Sequence, residues 1–260
     1  MRLSLSGFLF EDHGASQSLS LREFCALAKD AGYNGVELRR TQVNIETPRD
    51  ERRDVRAQVE DAGLRVTCLT TRRMPAGGRE RDDFFKAYVQ LCGDLNCNLM
   101  KTGGEPEWLH WAAAEADAAG VAIASNNHVG NVLETVQGTK EHLRAVDHPN
   151  YGLLFDAMHL HAGGQDCVAC VPDFFSVTRN ILVHVRRLEQ RDDDSFLERW
   201  ERALAGAVAD APNWPAVMRT YRTLGYDGLI TLIENGWPVS ERELVARRGA
   251  DILRRLWKEN

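Results

Sequence analysis

Apolar runs that end in a charge or a polar group, at recurring intervals along the whole chain, constrain this sequence more than any other feature. Leu229 to Ile233 leads into Glu234, Leu153 to Phe155 leads into Asp156, and Gly35 and Val36 lead into Glu37. A charge taken from water at the end of a buried strand is costly unless it is paired or liganded. Three such placements point to a shared site. Further runs close at Thr70, Lys101, Asn126 and Arg186, and the closures lie roughly 25 to 50 residues apart, which suits strand-plus-helix units joined by parallel crossovers. With Leu3 to Leu9 as the opening strand the count reaches eight. Eight units in 260 residues fit a single (β/α)8 TIM barrel, α/β in class, with the polar closures on the rim where such barrels carry their sites.

Composition is consistent with one enzyme-sized domain spanning residues 1–260. The chain is 43% hydrophobic and 27% charged, enough to bury a large core, and no linker or low-complexity tract breaks the pattern. Neither a membrane-spanning run nor a secretory signal is expected, so a cytoplasmic location is. The net charge of −6 repels polyanions and makes nucleic acid an unexpected partner. Homo-oligomerisation is left open. The six cysteines read as reduced packing residues, Cys167 and Cys170 included, because one CxxC without a second ligand pair is weak evidence for zinc or redox work. Thr47 followed by Pro48 predicts a helix N-cap, Ser240 with Glu243 predicts a capping box for the last helix, and Asn213 with Pro215 predicts another start. Gly32, Gly63, Gly120 and Gly225 stand where helices should stop.

The chain resembles the xylose-isomerase-like barrels, the sugar phosphate isomerases/epimerases. The resemblance is carried by Gly35-Val36-Glu37-Leu38, Asn127-His128, Phe155-Asp156 with His159, His184-Val185-Arg186, and Gly225-Tyr226-Asp227-Gly228 leading to Glu234. It implies an isomerase, epimerase or lyase of carbohydrate metabolism acting on a small sugar, sugar acid or sugar phosphate. Metal-dependent members hold one divalent ion at the ends of strands five to eight, and the matching positions here are Asn126, Asp156, Arg186 and Glu234. Two of these depart from the pattern. An Asn oxygen can still ligate a hard cation, whereas a guanidinium has no lone pair to offer. The expectation is that no cofactor is bound and that the Arg186 guanidinium takes the metal's place between Asp156 and Glu234, since the net charge of the site is then unchanged. Alternation puts Leu182, His184 and Arg186 on one strand face. The alternative is a single divalent metal (Mn, Mg, Co or Zn) held by Asp156, His184 and Glu234, with His128 or His159 as a further ligand.

Other rim residues complete the expected site. Glu37, Arg39, Lys101, Asn126 and Trp237 are candidate substrate contacts; Arg39 could reach a ligand or pair with Glu37, and Arg72, Arg73 and Lys101 favour an anionic substrate. Asp192, Asp193 and Asp194 oppose that bias. Gly103-Gly104 and Gly163-Gly164 could admit a ligand to the backbone or form turns, and Trp108, Trp111 and Trp214 are assigned to helix core. In the expected mechanism Glu234 or His128 removes a proton next to a carbonyl, Arg186 and Lys101 stabilise the enediolate, and His159 returns the proton. Isomerisation, epimerisation or dehydration would follow. The rival classes are a non-catalytic sugar-binding barrel and a Schiff-base lyase on Lys101. Endonuclease chemistry of the multi-metal kind is disfavoured by the sparse ligand set.

Overall fold

A computed structural model describes residues 1–185 and 195–258. Eight parallel strands close into a barrel in chain order: β1 (Arg2–Ser6), β2 (Gly35–Leu38), β3 (Val66–Thr70), β4 (Leu99–Lys101), β5 (Ala122–Asn126), β6 (Tyr151–Asp156), β7 (Thr178–Val183) and β8 (Leu229–Leu232). β8 returns to β1 with Leu3 opposite Ile230 and Leu5 opposite Leu232, which leaves no open sheet edge. Thr70, Lys101, Asn126 and Asp156 are the last residues of their strands, as the periodicity predicts. The opening strand is shorter than Leu3 to Leu9. It ends at Ser6, whose hydroxyl accepts from the Phe8 N–H and starts a 3-10 turn over Gly7–Phe10.

The helices between the strands are α1 (Leu21–Asp30), α2 (Arg49–Asp61), α3 (Gly78–Asp94), α4 (Pro106–Asp117), α5 (Val136–Val146), α6 (Ala157–Ala162), α7 (Val171–Phe174), α8 (Phe196–Leu204), α9 (Trp214–Thr223) and α10 (Val239–Lys258). Gly32, Gly63, Gly120 and Gly225 follow helix ends with φ between 69° and 85°, the left-handed conformation for which a side chain would be penalised. Asn213 caps α9 through the Ala216 N–H. Two predicted caps are displaced. Thr47 accepts from Asn44 N in the preceding turn, leaving Pro48 at the N-cap of α2, and Ser240 lies inside α10, which already starts at Val239.

Strand alternation sorts side chains into two layers. Cys68, Leu99, Ala124, Leu154, Leu182, Leu229 and Ile233 pack together inside the barrel, while Leu3, Leu5, Val36, Leu38, Phe155, Ile181 and Val183 face the helices. Polar interior residues pair with each other: Ser4 and Thr67 hydroxyls are 2.6 Å apart, and Asn180 donates to Thr231 at 2.8 Å. Trp108 and Trp214 are buried in the helix layer, with Trp111 packed against it, as assigned. All six cysteines are free and buried, and burial pushes the Cys167 thiol up to about 11 and the Cys170 thiol to about 12, which suits packing. No helix of the described residues is long and apolar enough to cross a membrane.

Gly35 opens β2 where the β3 backbone comes very close. A Cβ there would sit 2.5 Å from the Arg65 carbonyl oxygen and from Thr67 Cγ2. Gly35→Ala therefore forces two strands apart directly below Glu37, and an overpacking loss of about 1 to 3 kcal/mol is expected in urea unfolding.

Candidate active site

The parity that sorts the barrel also decides which strand-end groups reach its mouth. Lys101 shares a face with Leu99, Asn126 with Ala124, Asp156 with Leu154, and His184 with Leu182, all facing inward. Asp156 is 2% exposed and His184 Nε2 lies 3.0 and 3.1 Å from its two carboxylate oxygens. His159, one turn into α6, brings its Nε2 to 3.8 Å from the same carboxylate, and its backbone N–H donates to Asp156 Oδ1. Asp156 thus caps α6 and holds two imidazoles at once. Burial works against a charged Asp156, but His184 and then His159 override it and hold the carboxyl below its usual range. Burial likewise opposes a charged His184, and the Asp156 carboxylate overrides that too, raising the imidazole. His159 goes the other way, pushed down to about 4 chiefly by burial, and is neutral at pH 7.

This arrangement bears on the expected guanidinium. The inward face that Leu182 shares with His184 is the one on which Arg186 was placed, but Arg186 and Asp192 to Asp194 lie outside the described residues. Within them the partner of Asp156 is His184.

Glu234 follows the end of β8; its carboxylate is not among the ligand atoms clustered around Asp156, but its charge is felt at His184. Its Oε1 accepts from Trp200 Nε1 on α8 and from the Val185 backbone N–H, each at 2.7 Å, and its Oε2 accepts from Trp237 Nε1 at 3.4 Å. Burial raises the carboxyl despite His184 and these three donors. Trp237 is 2% exposed, packed on Phe196 and Trp200, so it serves chiefly as a wall and donor to Glu234. Trp200 was not among the expected site residues. Its position in a helix carries no pattern that distinguishes a donor to Glu234 from core. Trp200→Phe leaves a buried carboxylate one donor short, and a loss of about 1 to 3 kcal/mol in urea unfolding is expected.

The remaining candidates fall around the rim. Glu37 is 1% exposed, accepts from Thr70 Oγ1 at 2.9 Å and faces Arg39 at 3.5 Å. Arg39 is also 3.6 Å from Glu11 and stacks over Phe8, so the pairing with Glu37 is realised while the guanidinium still lines a cavity of about 730 Å3 with Trp237 and Arg242. His128 is exposed, and its ring lies on that of His159 with centroids 3.9 Å apart. Lys101, half-buried, has no polar partner among the described residues, and its charge is felt at His159 and His184. Asn126 donates to the Asn127 carbonyl, and Asn127, fully buried and not anticipated as a positioning residue, ties the loop to Leu133, Thr139 and the Asp156 N–H.

Asp156, His159 and His184 each offer a ligand atom, and these atoms lie within 4.8 Å of one another. One carboxylate and two imidazoles fit a borderline divalent ion such as zinc or cobalt better than magnesium. The expected set was Asp156, His184 and Glu234 with His128 or His159 as a further ligand; Asp156, His184 and His159 are the members whose ligand atoms cluster, while Glu234 is held by Trp200 and the Val185 N–H.

Residues 25–256 match the xylose isomerase-like TIM barrel family. The chain belongs to that family. No curated protein matches the sequence itself. Solved structures similar to it include a probable 3-DHS dehydratase from Bacillus anthracis, with 15% identity, 98% of this chain and 99% of the other covered, and a TM-score of 0.75. A D-psicose 3-epimerase solved in the presence of D-fructose shares 11% identity over 99% of each chain, with a TM-score of 0.77. An L-ribulose 3-epimerase shares 14% identity over 99% of this chain and 95% of its own, with a TM-score of 0.73. At such identities the likeness shows the fold alone. For this member of the xylose isomerase-like family the chemistry rests on its own strand-end residues.

Proposed function

We propose that the chain is an isomerase, epimerase or lyase that removes a proton next to the carbonyl of a small sugar or sugar acid. The observation that carries this reading is Glu234: a carboxylate raised by burial, anchored through Oε1 by two short hydrogen bonds, and with one long one on Oε2 among the described residues. A raised carboxyl held at fixed orientation is the kind of base that α-proton removal needs. Lys101, half-buried and without a polar partner among the described residues, is suited to stabilise the enediolate oxygen, and neutral His159 to accept or return a proton. Epimerases among the structural neighbours and a dehydratase beside them agree with a shared first step followed by different fates of the carbanion.

Asp156, His159 and His184 would hold a divalent ion, which when bound supplies Lewis-acid polarisation of the carbonyl. Arg186, if its guanidinium reaches the same carboxylate, would supply charge without ligation. The direct test is solvent deuterium exchange into dihydroxyacetone, hydroxypyruvate and small ketoses, followed by NMR. Exchange that the intact protein catalyses and the Glu234→Gln variant does not is expected. Ligand-dependent thermal shifts with no exchange would replace this reading with a sugar-binding barrel.

A further inference from the structure

A cavity of about 510 Å3 opens on the rim beside β3, β4 and β5, and Asp156, His184 and Glu234 do not line it. Its charge is unusual for this chain. Although the protein carries a net charge of −6, the cavity is lined by Arg72, Arg73 and Lys101 and, among the described residues, by no carboxylate. Arg72 is engaged by Glu46 and lies over Phe84, but Arg73 and Lys101 have no polar partner among the described residues. Two of the lining residues are more than nine-tenths buried and carry unsatisfied polar atoms: Thr102 Oγ1 and His142 Nε2 lack a hydrogen-bond partner among the described residues. Burial without a partner costs a hydroxyl or an imidazole free energy, and a bound acceptor recovers it. Gly103, with open space where a Cβ would stand, leaves the backbone beside Thr102 approachable.

We propose that this cavity is an oxyanion subsite that holds the carboxylate or phosphate end of the substrate, with Arg73 and Lys101 supplying charge and Thr102 and His142 supplying neutral donors. Burial pulls His142 below the usual histidine range, so its imidazole is neutral and can donate only from one nitrogen. Lys101 joins this subsite to the barrel mouth, since it lines the cavity and closes β4 on the inward face that Leu99 occupies. The inference rests on the enolisation reading for its substrate and narrows that reading to anionic sugars and sugar acids.

The test uses the whole chain in two assays. In calorimetry, inorganic phosphate and acetate are titrated into the wild type, Thr102→Val and Arg73→Gln. Binding of one of the two anions to the wild type, weakened about tenfold in either variant, is expected, a factor in the range for hydrogen bonds to charged groups. Which anion binds distinguishes a phosphate from a carboxylate end. In exchange kinetics, dihydroxyacetone phosphate and hydroxypyruvate are compared with neutral dihydroxyacetone, and the variants should raise KM for the charged substrate at least tenfold more than for the neutral one. Circular dichroism and Tm of Thr102→Val, a near-isosteric change, control for folding. Anion binding unaltered in folded variants, or none to the wild type, overturns the subsite. Anion binding that is lost in the variants while no substrate exchanges overturns the enolisation reading alone.

Discussion

Glu234→Gln is expected to slow α-proton exchange by about 10² to 10⁴-fold, the range for a positioned general base, without unfolding the barrel. Gln keeps an amide oxygen to accept from Trp200 and from Val185, so the two short hydrogen bonds survive. What it removes is a charge that burial disfavours. The sign of the pH dependence follows from the raised carboxyl. The native state holds its proton more tightly than the unfolded chain, so this group's contribution is fully present below the unfolded value of 4.5 and is lost as pH rises through the higher folded value. Gln cannot titrate. The Tm of the variant relative to wild type should therefore become more favourable as pH is raised from 4 to 7, while activity is lost at every pH. In the wild type, exchange should rise with pH along a limb displaced above the ordinary carboxylate range. Scanning calorimetry across that interval, beside NMR exchange rates, measures both. A variant that keeps wild-type exchange would remove Glu234 from the chemistry.

Asp156→Asn is expected to have the second large effect, on both stability and ion binding. Its carboxylate is the shared partner of two imidazoles, and an amide in its place leaves His184 without its directly bonded counter-charge, with the more distant Glu234 still felt there. Removing one partner of a fully buried pair costs about 3 to 5 kcal/mol, and the lower end applies here because the His184 side chain retains 16% exposure. Zinc or cobalt at a hundred times its dissociation constant should stabilise the wild type by about 2.7 kcal/mol, and Asp156→Asn and His184→Ala by nothing measurable. Magnesium should be the weaker ion, given the imidazoles. If Arg186 supplies the cation instead, no ion stabilises the wild type, elemental analysis of unchelated protein finds less than one equivalent, and Arg186→Met reproduces the loss of exchange.

The particular residues show why some of this was legible and some was not. Lys101, Asn126 and Asp156 end their strands where the apolar runs end, because hydrophobic periodicity and a rim of polar closures are properties of local sequence. His184 as an inward group follows from the same alternation through Leu182. The hold on Glu234 does not. It depends on a tryptophan 34 residues away in sequence and on the backbone of the loop after β7, beyond the point where β8 stops and alternation loses its force. The two displaced helix caps fail for a related reason. Thr47 and Ser240 have the right side chains, but one is claimed by the Asn44 turn and the other lies past an earlier helix start.

By itself the sequence determined a closed eight-unit barrel, the rim on which its polar strand ends gather, and the acids Asp156 and Glu234 as buried groups of that rim. Those follow from period, punctuation and the cost of burying charge, which act over a few residues. Only the tertiary structure decided that His184 and His159 share Asp156, that Trp200 donates to Glu234, and that Thr102 and His142 have no partner among the described residues beside a cationic cavity. Each of these turns on an ångström-scale approach between elements distant in the chain, and local periodicity does not encode such distances.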